Sequence, residues 1–507
     1  MSSITQQPEH LTQSYATQRM LPVSPTPKRW DVLPPAPRQQ FERLSHLNHY
    51  LVQILYNRGV ADPDDVDAFL ASRVRFDDPF RLLGVPMAVE RIRTAIRSGE
   101  HIVVYGDFDA DGVTATALLV QTLEAMSARV LPYIPHRVDE GYGLNCDALE
   151  RLAAAGARVV VTVDCGIRSP VEVAHGSQVG LDMIVTDHHA VGPELPPAIA
   201  VINPKQAGDP YPCKELAGVG LAFKLAQALM LEEKRHPIAL EPMKLEEADL
   251  LDLVALGTVA DLAPLLGENR SLVQRGLAEL NKARRPGIQA LLAEAGLRPG
   301  KVDATAIGFV LGPRLNAAGR LSTADISYRL LSAPDPWIAA PLASELGRLN
   351  SRRQELTTEK VALAKELLRA QGVDRYLYFV ADSGFPPGIV GLVAGKLADD
   401  LYRPVLVAEL GPQQTHGSAR SIPEFNITAA LDKCRDLLER HGGHAAAAGF
   451  TVRNERLEEL QRRLEKIACQ QLAGQELAPS LAIDVVVGLA DLDWATATLL
   501  RQLEPCG

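Results

Sequence analysis

Between residues 89 and 203 five short apolar runs, at 101–105, 129–134, 159–163, 183–186 and 199–202, alternate with stretches of helical periodicity such as 113–127 and 147–155. Runs of continuous Val and Ile read as strands buried on both faces, and the helices between them supply the crossovers. The pattern therefore predicts a parallel sheet covered on both sides. In such sheets ligands bind beyond the carboxyl ends of the strands.

That rule selects three places. Run 101–105 leads into Gly106-Asp107-Phe108-Asp109-Ala110-Asp111-Gly112, run 159–163 ends at Asp164, and run 183–186 ends at Asp187-His188-His189. On an extended segment alternate side chains share a side, so Asp107, Asp109 and Asp111 are expected on one face, with no cationic neighbour in the local sequence. Crowded carboxylates cost folding free energy unless a hard cation or a substrate offsets it. A calcium-binding EF-hand loop would need Glu at its twelfth position, which is Leu118, and a helix rather than a strand in front. Taken singly, Asp164 could cap a helix and the adjacent histidines could be surface residues. Jointly they predict one crevice. A fourth acid, Asp261, ends an apolar helix at 250–260, where the macrodipole disfavours it. A metal would remove that difficulty, and an exposed turn aspartate is the local alternative.

At 507 residues the chain predicts about three domains. Lys and Arg number 52 against 62 Asp and Glu, a net charge of −10, so any contact with nucleic acid must come from a local patch. No apolar run approaches the roughly 20 residues of a membrane span, and the amino terminus lacks a signal-peptide core. Six cysteines without a Cys-x-x-Cys pair suit reduced thiols in a cytoplasm.

Residues 1–40, rich in Gln, Ser, Thr and Pro, read as a tail or strap, and 41–86 as a helical lead-in. A helical stretch occupies 218–295. Gly312 to Arg320 reads as a glycine-flanked loop whose Arg314 and Asn316 suit a phosphate or strand end. A long helix follows at 339–370 with Arg348, Arg352 and Arg353 close together, diluted by Glu355 and Glu359. A second alternating region spans 376–472, with strands at 376–380, 405–408 and 449–452 and helices at 388–399, 427–439 and 455–471. Its loops, Gly417 to Ser421 and His441-Gly442-Gly443-His444, offer backbone N–H groups, Ser418, Arg420 and His444 for an anion pocket. After a linker at 474–479 a strand restarts at 481–487.

In order and spacing, Gly106 to Gly112, Asp164, Asp187-His188-His189 and Gly257-Thr258-Val259-Ala260-Asp261 resemble the four motifs of the DHH phosphoesterases, and Gly442 to His444 resembles the motif of their associated carboxyl-terminal domain. Within that superfamily the layout is similar to the single-strand-specific DNA exonucleases over about residues 30 to 507. The resemblance implies an α/β, two-lobed fold: a parallel-sheet DHH lobe with its helical lead-in at 41–335, a connecting helix at 336–372, a smaller α/β lobe at 373–473, and the start of a truncated OB-like domain at 474–507. It implies two divalent ions, Mn²⁺ or Mg²⁺, on Asp109, Asp111, Asp164, His188 and Asp261, with Asp164 bridging, His189 on the scissile phosphate and Asp107 in the catalytic set. It further implies that Arg314 and Asn316 line the path of a 5′ end, and that Arg353, Ser418, Arg420, Gly442, Gly443 and His444 hold phosphates.

The implied activity is 5′ to 3′ hydrolysis of single-stranded DNA to 5′ mononucleotides in repair and recombination. The implied protein is a cytoplasmic monomer, with a single-strand-binding protein and a helicase as further partners. Two alternatives stand beside it: a small-nucleotide phosphodiesterase of the same superfamily, usually shorter and without the arginine-bearing helix, and a non-catalytic replication scaffold, which would have lost metal ligands. Two positions depart from the family pattern. Tyr105 stands where many members have His, and Phe385-Pro386-Pro387-Gly388 replaces Trp-His-x-Gly.

Overall fold

In the computed structural model, which describes residues 27–71, 76–137, 139–238, 242–372 and 375–506, the five expected strands form one sheet. They are β1 (His101–Gly106), β2 (Arg129–Tyr133), β3 (Ala157–Val163), β4 (Asp182–Thr186) and β5 (Ala200–Ile202). Their order is β2-β1-β3-β4-β5 and every neighbouring pair is parallel. Because side chains alternate across a strand, one face buries Ile102, Val104, Val159, Val161 and Ile184, and the other buries Val103, Tyr105, Val160, Met183 and Val185. Both faces are core, which is why the runs read as continuously apolar. Each such side chain contributes about 1.5–3 kcal/mol by leaving water.

Helix α1 (Ala110–Ala125) follows β1 and is buried nearly all round, through Val113, Ala117, Leu118 and Leu119 among others. It packs against α2 (Gly218–Arg235) and α3 (Leu251–Ala260), and α4 (Gly267–Leu280) packs on α3. These contacts bring the ends of helices distant in sequence to the carboxyl edge of the sheet.

The stretch expected as a loop at Gly312 to Arg320 is instead helix α5 (Gly312–Leu321), entered through a π-helical turn at Ile307–Leu311. Pro313 is compatible with a first helical turn. The glycines mark close approach rather than a turn: a Cβ on Gly319 would lie 2.5 Å from the Phe108 carbonyl oxygen. The long helix expected at 339–370 is α6 (Pro336–Gln371).

The chain divides into two compact units, Trp30–Glu355 with 482–506, and Leu356–Leu481. In the first, Leu503 joins Leu51, Leu55, Val66 and Phe69 in one buried cluster. Arg270 on α4 donates to the carbonyl oxygens of Gln502, Leu503, Glu504 and Pro505, tying the final stretch down. Most of the tail or strap expected at 1–40 lies outside the described residues. Leu33 donates its N–H to the Ile483 carbonyl at 3.0 Å, and the strand expected at 481–487 is Ser480–Ile483.

The second unit is built on β6 (Tyr378–Asp382), β7 (Val405–Leu410), β8 (Gln414–Arg420), β9 (Leu438–His444) and β10 (Ala447–Arg453), ordered β9-β10-β8-β7-β6. Only β6 and β7 are parallel. Helix α7 (Val390–Leu401) covers one face through Val393, Ala394 and Leu397. The two glycine-bearing segments expected as loops lie in strands β8 and β9, and the helix expected at 427–439 stops at Asp432. Their glycines signal turns locally, but each segment forms ladder hydrogen bonds with β10, which a local reading cannot see. Among the described residues no helix is long and apolar enough to cross a membrane.

Candidate metal centre

Strand β1 ends at Gly106 and places Asp107 at the carboxyl edge of the sheet, buried to 3 % exposure. The extended spacing expected through Asp111 does not persist. Asp109 is the N-cap of α1: its carboxylate accepts from the amides of Asp111 at 2.9 Å and Gly112 at 3.1 Å, so Asp111 already lies in the first helical turn. The three acids nevertheless stay together, because a tight strand-to-helix turn keeps them within a few residues of one sheet edge.

Strand β3 delivers Asp164, whose backbone adopts φ 63°, a left-handed conformation that costs an ordinary residue about 1–3 kcal/mol. Such strain at a strand end marks a side chain held for use. Strand β4 delivers Asp187, His188 and His189. Asp187 accepts from the Ile167 amide at 2.9 Å and from the His189 amide at 3.0 Å, and lies 2.7 Å from His189 Nδ1. Asp187 thus orients the neighbouring imidazole and leaves His188 facing the acids. Asp261, at the end of α3, brings Oδ2 to 3.8 Å from His188 Nδ1, while His188 Nε2 lies 3.1 Å from Asp164 Oδ1 and 3.9 Å from Asp111 Oδ2. The N-terminus of α2 supports the far side, with the amides of Gly218 and Val219 donating to the two Asp111 oxygens at 2.7 and 2.8 Å.

Three sets of possible donors result: Asp107, Asp109 and Asp164; Asp111, His188 and Asp261; and Asp164, His188 and His189, each with donor atoms within 4.8 Å of one another. Asp164 and His188 are each shared between two sets. Asp107 Oδ1, Asp164 Oδ1 and His188 Nε2 are buried without a hydrogen bond; the 3.1 Å separation of the last two lacks hydrogen-bond geometry. Orphaned hard oxygens and an imidazole nitrogen in one pocket are the donor set of a divalent cation of the Mn²⁺ or Mg²⁺ type.

The electrostatics agree. Burial, then neighbouring carboxylates, push Asp107 and Asp164 well above the usual carboxylate range. Burial and Asp261 push Asp111 up to about 7, and burial and Asp109 push Asp261 up to about 7. Burial lowers His188, favouring the neutral imidazole that binds a metal. For His189 burial acts in the same direction, but the Asp187 carboxylate outweighs it and raises the imidazole to about 9, so that it carries positive charge at neutral pH. Asp187 is held below its ordinary value: burial would raise it, and the His189 contact and backbone amides prevail.

Residues 101–258 match the model of the DHH family N-terminal domain, and residues 374–469 that of the DHHA1 domain. The chain is 38% identical over 475 residues to the single-stranded-DNA-specific exonuclease RecJ of Salmonella typhimurium, covering 90% of this chain and 81% of that protein. The chain belongs to the RecJ family. The RecJ of Bacillus subtilis is 40% identical over 465 residues, covering 91% of this chain, which spans 58% of that relative's length. The RecJ of Thermus thermophilus in complex with Mn²⁺ superposes with a TM-score of 0.81 at 32% identity, over 94% of this chain and 68% of that one.

Of the other residues singled out for this RecJ-family chain, Asn316 on α5 reaches the centre, its Oδ1 accepting from the Ala110 amide at 2.7 Å beside Asp109. Arg314 curls back to donate to the Val310 carbonyl at 2.8 Å. Arg353 lies on α6, half-buried, with its guanidinium on Asn350. The remaining candidates share one sheet in the second unit. Ser418 pairs with Gly449, which pairs with Gly442, and Arg420 pairs with Ala447, which pairs with His444. Paired residues point to the same face, so Ser418, Arg420 and His444 stand on one side, around two glycines where a Cβ would meet nothing within 4 Å. Gly443 belongs to the opposite register. Arg420 Nη1 donates to Ser418 Oγ at 2.8 Å.

Two residues at the metal centre escaped the sequence reading. Arg137 lies with its guanidinium 4.4 Å from the Phe108 ring centroid and is the cation that offsets Asp107. The Tyr142 ring makes edge contacts with Phe108 and His189, each at 6.1 Å, and is 58 % exposed. Both Arg137 and Tyr142 follow β2, a fourth strand end on the same edge, so the rule that found the acids would have found them. Tyr105, at the family's His position, faces the opposite side of the sheet, stacks on Tyr133 and donates its hydroxyl to the Gly143 carbonyl at 3.1 Å.

Close packing at the centre gives one direct prediction. A Cβ on Gly218 would lie 2.6 Å from the Asp164 Cβ, so Gly218→Ala should displace either Asp164 or the α2 amides that hold Asp111. We expect a stability loss of about 1–3 kcal/mol in thermal or urea unfolding, together with weaker Mn²⁺ binding by titration calorimetry.

Proposed function

We propose that this chain is a metal-dependent 5′ to 3′ exonuclease that hydrolyses single-stranded DNA to 5′ mononucleotides in DNA repair and recombination. The observation that carries this reading is the convergence of overlapping donor sets, linked through Asp164 and His188, in which Asp107 Oδ1, Asp164 Oδ1 and His188 Nε2 are buried without hydrogen bonds. The RecJ relatives named above support the choice of substrate.

Asp107, Asp109 and Asp164 would hold one divalent ion, and Asp111, His188 and Asp261 a second, the two sets meeting where His188 Nε2 lies 3.1 Å from Asp164 Oδ1. When bound, such a pair of ions supplies Lewis acidity, lowering the pKa of water and neutralising charge as phosphorus is attacked. The protein's own groups do the rest. The Asp111 carboxylate is fixed by two α2 amides, and Asp187 holds His189 protonated and oriented. His189 donates to a non-bridging phosphate oxygen, stabilising charge that grows in the transition state. Cleavage breaks the bond between phosphorus and the 3′ oxygen of the terminal nucleotide, which leaves with its 5′ phosphate. Ser418, Arg420 and His444 in the second unit offer a further phosphate-holding face with a bare glycine floor. The work on DNA implies a cytoplasmic protein, with a single-strand-binding protein and a helicase as candidate partners.

The test is release of labelled mononucleotide from 5′-labelled single strands in the presence of Mn²⁺, beside matched duplex, single-stranded RNA and dinucleotide substrates. Single-stranded DNA should be consumed fastest. A protein loaded with Mn²⁺ that leaves the DNA intact, or that cuts only dinucleotides, overturns the exonuclease reading and favours a small-nucleotide phosphodiesterase.

A further inference from the structure

Phe309 is 81 % exposed, although it sits in a unit whose other phenylalanines near the site are buried or half-buried. It is carried by the π-helical turn Ile307–Leu311, a conformation that is rare and concentrated at functional sites. The turn is anchored on both flanks: Ile307 and Leu311 are fully buried, and Gly312 packs against Ala260, where a Cβ would lie 3.1 Å from the Ala260 Cβ. Ala260 immediately precedes Asp261, and four residues beyond Gly312 lies Asn316, which holds the Ala110 amide at the metal centre. The Arg314 guanidinium folds back over the same turn onto the Val310 carbonyl, and its Nε is buried without a partner. An exposed aromatic face and an arginine with a spare buried donor therefore share one rigid turn beside a metal ligand.

Resting on the exonuclease reading above, we propose that Phe309 is a stacking platform for a nucleobase of the single strand. Stacking of bases on exposed aromatic rings is tolerant of sequence, because every base has a π face. It also requires an unpaired base, since the faces of a paired base are already covered by its neighbours in the duplex. Phe309 is thus a positioning residue that favours single strands, acting on binding and not on the phosphorus.

The test compares the parent protein with Phe309→Ala and Phe309→Trp, using Mn²⁺ and oligothymidylate strands that are either intact or carry one abasic position at successive distances from the 5′ end. Phe309→Ala should raise KM on intact strands about tenfold, the size of one base–aromatic contact, while kcat falls less than about threefold. Phe309→Trp should restore KM. One abasic position should raise the parent's KM and leave the alanine variant's KM unmoved. Equal KM values for the parent and Phe309→Ala on intact strands, with the parent active, overturn the platform and leave the exonuclease reading intact. Should the parent itself release no nucleotide, that reading fails, and fluorescence anisotropy of labelled oligothymidylate decides the platform alone. A tenfold weaker Kd for Phe309→Ala sustains it, and equal Kd values end it.

Discussion

Asp164→Asn should lower the rate of single-strand hydrolysis by at least about a thousandfold while leaving the fold intact. Two physical arguments set the size and the direction. Asp164 belongs to one donor set with Asp107 and Asp109 and lies 3.1 Å from His188 of the set formed with Asp111 and Asp261, so its loss strikes the first cation site directly and the second through His188, whereas Asp261 belongs to one set alone. Removing a single preorganised charge-stabilising group costs about 10²–10³ in rate, and a shared ligand stands for more than one. Asparagine is the informative substitution because its amide preserves the volume and it tolerates left-handed backbone better than alanine does at φ 63°. With a buried, uncompensated carboxylate replaced by a neutral group, the metal-free variant should be at least as stable as the parent at pH 8. The measurements are turnover on 5′-labelled single strands and Mn²⁺ titration. Activity within tenfold of the parent would remove Asp164 from its shared role. Asp164→Ala should be equally inactive, with an added backbone strain that blurs its stability reading.

What could be read from sequence divides along a physical line. The parallel sheet was legible because burial on both faces forces continuous Val and Ile runs, and the acids were legible because they sit at strand ends, which topology places on one edge. Helix α5 was not: Gly312 and Gly319 look like loop residues until the Ala260 side chain and the Phe108 backbone they approach are known. Strands β8 and β9 failed because their glycines gain their reason only from pairing with β10, where Gly417 opposes Phe450 and Gly442 opposes Gly449. Arg137 and Tyr142 were missed for a different reason. They lie beyond the end of β2, where the strand-end rule points, and were passed over because neither is an acid or a metal-binding side chain; their contacts with Phe108 and His189 give the reason for their place.

The crowded acids also make a prediction about pH that separates the metal-free from the loaded protein. Asp111 and Asp261 have folded pKa values of about 7 against an ordinary 3.8, so between those values the folded state binds more protons than the unfolded one. Stability then falls as pH rises. Their contribution is fully present below about pH 4 and is lost as pH climbs through 7. Asp107 and Asp164 act in the same direction. His189 adds to the trend at higher pH, because stability gained from its raised pKa is lost as pH passes 9. Asp187, held low, opposes it only in acid. A carboxyl displaced from 3.8 to about 7 corresponds to roughly 4 kcal/mol if it acted alone, and coupling makes the set worth less than the sum. The protein stripped with EDTA should therefore lose several degrees of Tm between pH 5.5 and 8.5. Bound Mn²⁺ keeps the same groups ionised, so the slope should flatten, protons should be released on titration at pH 6.5, and saturation at a hundredfold excess over Kd should add about 2.7 kcal/mol. A Tm that holds steady or rises across that range without metal, and does not respond to Mn²⁺, would mean that the acids are solvated separately and hold no ion.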